Sequence, residues 1–264
     1  MRIDVCDHPV FVLGPPRSGT SMMQWALRAH PNLWGGQESD YLIPLVDRLR
    51  DVWEYGRRRE RLHWLSGQNV SWDEFLGHVG IGINALYMSR SHGRRWVEQT
   101  PQYTLHLDDM VRLFPGAQFL FMVRDGREVV HSLRNFVNPV EHEEGCRIWR
   151  NFINAGLRFA EGEHGHQLHL VSYRNAVSDT EPEMERVFAF LGEPYDKASA
   201  DFITSKRPIN SSFTEAAAGP RWGVWSGEER AVFERTAGSL LVTLGFESDA
   251  SWIERVPLAT EEVR

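Results

Sequence analysis

The stretch Val10-Phe11-Val12-Leu13-Gly14-Pro15-Pro16-Arg17-Ser18-Gly19-Thr20-Ser21 constrains this chain more than any other. Four apolar residues run straight into a loop with glycines at 14 and 19, and the pattern beyond Thr20 predicts a helix over 20–30, stopped before Pro31. A strand, a glycine-bearing loop and a helix N-terminus aim backbone N–H groups and the positive end of the helix dipole at one point, which is how a phosphate is held. The two glycines have the spacing of a Walker loop, yet the lysine that should follow the second one is Thr20. Instead, Arg17 inside the loop can fork onto a charged oxygen group, and Thr20 and Ser21 can donate hydroxyls. Such a loop suits a short phosphate tail better than a metal-bound triphosphate.

Further strands are predicted at 95–99, at 117–124, where a continuous apolar run marks a strand buried on both faces, and at 168–173. Helices are predicted between them at 103–114, 126–136, 143–161 and 181–192, the last closed by Gly192, with a final helix at 227–245. Strands alternating with helices imply an α/β fold: a central parallel sheet of the P-loop type with helices on both faces. No linker interrupts the 264 residues, so residues 1–264 read as a single domain. Residues 44–90 read as a helical insertion after the first strand, placed at the mouth of the site, with the arginine run around Arg57-Arg58-Arg59 as a solvated helix face.

A net charge of −7 argues against general binding to nucleic acid or anionic membranes but permits a local basic pocket. Cys6 and Cys146 form neither a disulfide framework nor a metal cluster, which suits a reducing compartment. No signal-peptide pattern opens the sequence and no stretch is apolar enough to insert in a bilayer, so the expected location is cytoplasmic. His164, His166 and His169 lie close together, but no carboxylate cluster accompanies them and no metal is expected; His30 and His131 read as structural. No serine elbow occurs.

A second segment, FLFMVRDGREVVHSLRNF, puts Arg124 at the carboxyl end of a buried strand, where α/β sheets make ligand contacts, and Ser132 two turns into the next helix. Arg124 is equally open to pairing with Asp125 or Glu128. Taken together, GPPRSGTSMMQWALRAHP, HPNLWGGQESDYLIPLV, FLFMVRDGREVVHSL and VSYRNAVSDTEPEMERVFAFLGEP occur in the order and spacing of the sulfotransferases that use 3′-phosphoadenosine 5′-phosphosulfate (PAPS). The chain resembles most the tyrosylprotein sulfotransferases and their bacterial relatives.

The resemblance implies that Pro16, Arg17, Ser18, Gly19, Thr20 and Ser21 hold the 5′-phosphosulfate, and that Arg124 and Ser132 hold the 3′-phosphate. It places Tyr173 along the nucleotide and Arg207 against it, and matches Trp222 and Trp225 to a tryptophan-rich stretch, where core packing explains them equally well. Glu38 matches the family's catalytic glutamate and would take the proton of an acceptor hydroxyl, with Asp40 as the competing carboxylate. One departure stands out: Gln99 occupies a position often held by lysine in the family, which puts more catalytic weight on Arg17. The implied activity is sulfuryl transfer to a hydroxyl acceptor (phenolic or tyrosyl, sugar or small metabolite), releasing adenosine 3′,5′-bisphosphate (PAP) without a metal. The rival readings are a P-loop small-molecule kinase and a non-catalytic nucleotide-binding module. The acceptor and the oligomeric state, a homo-oligomer included, are left open.

Overall fold

Val10–Leu13 (β1), Leu33–Gly35 (β2), Arg95–Glu98 (β3), Gln118–Val123 (β4) and Leu168–Ser172 (β5) pair in parallel into one sheet, in the spatial order β2-β3-β1-β4-β5. The molecule is a computed structural model, which describes residues 4–59, 63–205 and 220–255. Alternation along the strands sorts side chains to two cores. Phe11, Leu13, Phe119 and Phe121 face one of them, and Val10, Val12, Leu120 and Met122 the other. Neither face of these central strands meets water, which explains their unbroken apolar runs. The expected α/β architecture with a P-loop-type parallel sheet is the one observed.

The second core is covered by Thr20–Arg28 (α1) and two later helices. The inserted helices Leu42–Arg58 (α2), Trp64–Gly67 (α3) and Trp72–Ser91 (α4) follow β2. Pro101–His106 forms a 3-10 turn leading into Leu107–Leu113 (α5), which packs against α4. Gly126–Arg134 (α6) and the long His142–Glu161 (α7) cover the first core, and Tyr173–Ser178 (α8) follows β5 directly. Thr180–Leu191 (α9) and Lys197–Ser205 (α10) complete the second core. At the end of α9, Gly192 takes the left-handed conformation at φ 71, as its position past the last turn predicts.

The last helix begins at Gly227–Phe233 (α11) with a full capping box between Ser226 and Glu229, passes through a π-turn at Glu234–Gly238 and ends as Ser239–Thr243 (α12). A short helix, Trp252–Arg255 (α13), returns to it. Trp222, Trp225 and Trp252 are buried with Phe233 and Trp149 in one aromatic cluster, so the two tryptophans singled out from sequence lie in the core.

Three local differences from the sequence reading have physical reasons. Strand β2 is only three residues long, too short to show a periodicity, so the inserted helices come after a second strand as well as after the first. The predicted helix at 103–114 starts as a 3-10 turn because Thr100 and Pro101 set its entry. The predicted strand ending at 173 stops at Ser172, whose hydroxyl caps α8 through Asn175 N–H, so Tyr173 is helical. In the insertion, Arg48 pairs with Asp51, Arg58 with Glu54 and Arg50 with Asp109, the solvated face expected of that run.

Candidate active site

Strand order reverses at β1, and the crevice outside the carboxyl ends of β3, β1 and β4 is where an open parallel sheet binds its ligand. The loop 14–19 occupies it. Gly14 sits at φ 134, and a Cβ there would meet Met122 O at 2.6 Å; Gly19 sits at φ 96, and a Cβ there would meet the Tyr173 ring at 2.5 Å. Arg17 itself adopts φ 70, an L residue in the left-handed region held by the turn Ser18 N–H to Pro15 O at 3.1 Å. Thr104 anchors the start of the loop, accepting Gly14 N–H at 2.9 Å.

The loop has the marks of an anion cradle. No side chain caps α1, so its first N–H groups point at the loop without a protein acceptor from a capping side chain. Ser18 is fully buried, and among the described residues its hydroxyl finds no hydrogen-bond partner. Pro16 and Ser21 are half-buried at either end of this arc, and Thr20 is buried inside it.

Arg17, Ser132 and Arg124, far apart in sequence, meet here. Arg17 Nε donates to Ser132 Oγ at 3.1 Å, and its guanidinium lies 4.4 Å over the Phe136 ring. Arg124 donates to Arg17 O at 2.8 Å and stacks 4.2 Å over Tyr173, which β4–β5 register places beside it. Arg124 also forms an ion pair with Glu128 at 3.8 Å, one of the two pairings left open from sequence, while Asp125 pairs with Arg127 instead. Arg221, bonded to Glu128 at 2.8 Å, joins this group. Burial, then repulsion from Arg221, lowers the Arg17 pKa; burial and the neighbouring Arg221 and Arg17 lower that of Arg124, with Tyr173 and Glu128 opposing. Half-burial and Arg221 also lower His131, leaving it a neutral imidazole.

The carboxylate side is assembled around β3. Gln99 Nε2 donates to both Thr20 Oγ1 at 3.0 Å and Glu38 Oε1 at 3.1 Å, tying the candidate base to the phosphate loop through one amide. Glu38 stays open to solvent, while partial burial of its carboxyl raises its pKa; Gln99 opposes this and Asp40 adds to it. Glu38 does not cap a helix, since α2 starts at Leu42 and no side chain caps it. Asp40 is exposed, at φ 53, and its side chain makes no hydrogen bond to the loop. Ser39 fastens this loop to Glu98, Thr100 and Tyr103.

Against this geometry, a family model described as "Sulfotransferase family" matches residues 9–197. The chain belongs to the sulfotransferase family. A protein-tyrosine sulfotransferase of Drosophila melanogaster is 25% identical over 258 residues, covering 94% of this chain and 47% of that protein. The chicken protein-tyrosine sulfotransferase 2 is 26% identical over 260 residues, covering 94% and 64%. The chain thus spans about half to two thirds of these relatives' length. Among solved structures, the sulfotransferase domain of a Synechococcus olefin synthase superposes with a TM-score of 0.55 at 20% identity, covering 90% of this chain and 98% of that one. A mouse sulfotransferase complexed with PAP gives 0.55 at 11% identity, covering 97% and 91%; both likenesses speak to fold alone.

Among the sequence-predicted residues, Arg17, Ser18, Gly19, Thr20, Arg124, Ser132 and Tyr173 lie together at the carboxyl ends of β1 and β4, and Glu38 is joined to them through Gln99. Arg207 lies outside the described residues. His30 bonds Pro194 O and Asn32 N–H, a structural role. His164 stacks near Phe159 and His169 on Phe190, and among the described residues no group of three or more His, Cys, Asp or Glu is placed to hold a metal. Among them also, no helix is long and apolar enough to cross a membrane. Sequence reasoning missed Glu98, Arg221 and Phe136. Glu98 had a signal, a carboxylate ending a strand that reads as buried; nothing about the local sequence marks Arg221 or Phe136.

Proposed function

We propose that this protein transfers the sulfuryl group of PAPS to a hydroxyl acceptor, with a tyrosyl or other phenolic hydroxyl as the first class to test. The observation that carries it is a single connected set of contacts. One end is a phosphate loop with a buried, unpartnered Ser18 hydroxyl, the middle is the Arg17–Ser132–Arg124 contact set, and the far end is Glu38 held to Thr20 by Gln99. Two neighbouring sets of anion-binding groups, one on the loop 14–19 and one on the β4–α6 segment, suit a nucleotide phosphorylated at both 5′ and 3′ positions. The Ser18 hydroxyl and the uncapped helix fit the 5′ group, and Arg124 with Ser132 the 3′ group. When bound, the donor supplies an activated sulfuryl group.

Around it the chain's own residues do the rest. Arg17 and the α1 N–H groups stabilise negative charge where it accumulates, preorganised before reaction. Arg124 and Ser132 select and orient the donor, and stacking of Arg124 on Tyr173 holds the guanidinium in place. Glu38 takes the acceptor proton, its raised pKa strengthening it as a base near neutrality. The tyrosyl acceptor is supported by the protein-tyrosine sulfotransferases to which the chain is similar.

The test is an acceptor panel of a tyrosine-containing peptide, a sugar and a simple phenol, incubated with isotopically labelled PAPS. Gain of one labelled sulfate by mass spectrometry is the expected result. Phosphate transfer from ATP with Mg²⁺ would put the kinase reading ahead, although Thr20 in the lysine position and its bond to Gln99 speak against it. PAP binding with no transfer to any acceptor would favour a binding module.

A further inference from the structure

Glu98 ends β3 opposite Phe11 of β1, only 2% exposed, and the chemistry above gives it no part. Its Oε1 accepts Thr100 Oγ1 at 2.7 Å, Ser39 Oγ at 2.9 Å and Ser39 N–H at 3.1 Å. Tyr103 OH accepts Leu42 N–H at 3.2 Å and stands 2.7 Å from Ser39 Oγ. The tyrosine hydrogen thus goes to Ser39 and the serine hydrogen to Glu98, a directed chain that ends on a carboxylate. Oε2, also buried, has no hydrogen-bond partner among the described residues. With Oε1 saturated by donors, a proton would settle on Oε2, and the three bonds would weaken from charge-assisted to neutral without breaking.

We propose that Glu98 is a positioning residue, fastening residues 36–41 to the carboxyl end of β3 so that Glu38 is held at Gln99, which also bonds Thr20, and holding hardest when it is ionised. The proposal rests on the reading of Glu38 as the base. Burial raises the Glu98 carboxyl to about 7, against the pull of Thr100 and Ser39, so the change of grip falls near neutrality. The groups that face it are Glu38, which pushes it further up, Tyr41 from the same loop, Tyr87 from α4 and Tyr103 from the 3-10 turn. Burial raises all three tyrosines, so they stay neutral across this range. Among the described residues no arginine or lysine bonds to Glu98.

The experiment compares wild type, Glu98→Gln, Glu38→Gln and the double variant. Its readouts are amide hydrogen exchange, PAP affinity, and kcat with PAPS and a tyrosine-containing peptide across about pH 5 to 9. In Glu98→Gln, exchange at Ser39 and Asp40 should quicken by about tenfold while PAP affinity is unchanged. Its kcat should fall by about tenfold, its pH profile should lose an ionisation near neutrality, and no further loss should appear in the Glu38→Gln background. Unchanged exchange, unchanged kcat at every pH, or an equal loss in the Glu38→Gln background would each overturn the proposal. Full kcat in Glu38→Gln would sink the base reading alone, and exchange at Ser39 would still decide whether Glu98 holds the loop. Should Glu98→Gln fail to fold, Ser39→Ala, which removes one donor from Oε1, carries the same kinetic and pH expectations, with exchange read at Asp40.

Discussion

On one side of the carboxyl end of β1 stand Arg17, Arg124 and Arg221; on the other, around β3, stand Glu38 and Glu98. On the first side burial and mutual repulsion lower the pKa of Arg17 and Arg124, and on the second burial raises that of both glutamates. Each half of the cleft is therefore shifted against its own charge. The arginine half relaxes when an anion arrives, because the ligand supplies what crowding withholds. The glutamate half gains nothing from an anion; its strain is a readiness to accept a proton. Two opposite electrostatic tensions thus stand on either side of β1, and the neutral Gln99 bridges Thr20 and Glu38 between them.

The largest effect expected from breaking this division is at Glu38. Glu38→Gln preserves the bond to Gln99, so PAP binding by calorimetry should be unchanged while turnover falls by about 10²–10⁴-fold. A loss concentrated in Asp40→Asn instead would transfer the role.

Next comes Glu98, through stability. Its folded-state pKa of about 7 exceeds the ordinary 4.5, so the folded protein binds the extra proton between those values. Stability from this group is complete below about pH 4.5 and is lost as pH rises through about 7, by up to roughly 3 kcal/mol. Thermal midpoints measured against pH should fall over that window in wild type and less in Glu98→Gln; parallel curves would contradict the assignment.

On the arginine side, Arg124→Ala should weaken PAP by about 1.5–3 kcal/mol while affecting an analogue without the 3′-phosphate far less. Equal losses in titrations of the two ligands would make Arg124 structural. The smallest effect, a few-fold, is expected where the halves meet. Gln99→Lys puts a cation beside Glu38, which lowers the base's pKa and should move the acid limb of the pH–rate profile to lower pH, on the order of half a unit. An unmoved limb would show that Glu38 does not set it.

Much of the fold was legible because the central strands carry their signal within a few residues: Val10–Leu13 and Phe119–Met122 are apolar without interruption since both faces of the sheet are covered. The three residues of β2 escaped notice for the opposite reason, as Leu33-Trp34-Gly35 is shorter than any period it might display. In the site, the phosphate loop reads from local spacing and Arg124 and Ser132 from their place after a buried strand, while the family resemblance supplied the roles of these two and of Glu38. Contacts that depend on long-range topology were not legible. Arg17 bonds Ser132 across 115 positions, and Ser39 reaches Glu98 across 59. Arg221 arrives from a segment whose own sequence reads as core aromatics.

The adjacency of β3, β1 and β4 sets a ruler beneath the cleft. Neighbouring parallel strands lie about 4.8 Å apart, a spacing dictated by backbone hydrogen bonds and untouched by side-chain substitution. Gln99, the loop after Leu13 and Arg124 all leave from the ends of these three neighbours, so the lateral offsets among them are set in strand widths. Divergence among such proteins cannot easily stretch that ruler. The inserted helices α2 to α4 and the loop bearing Phe136 are not tied to it and can lengthen or reshape without altering that spacing.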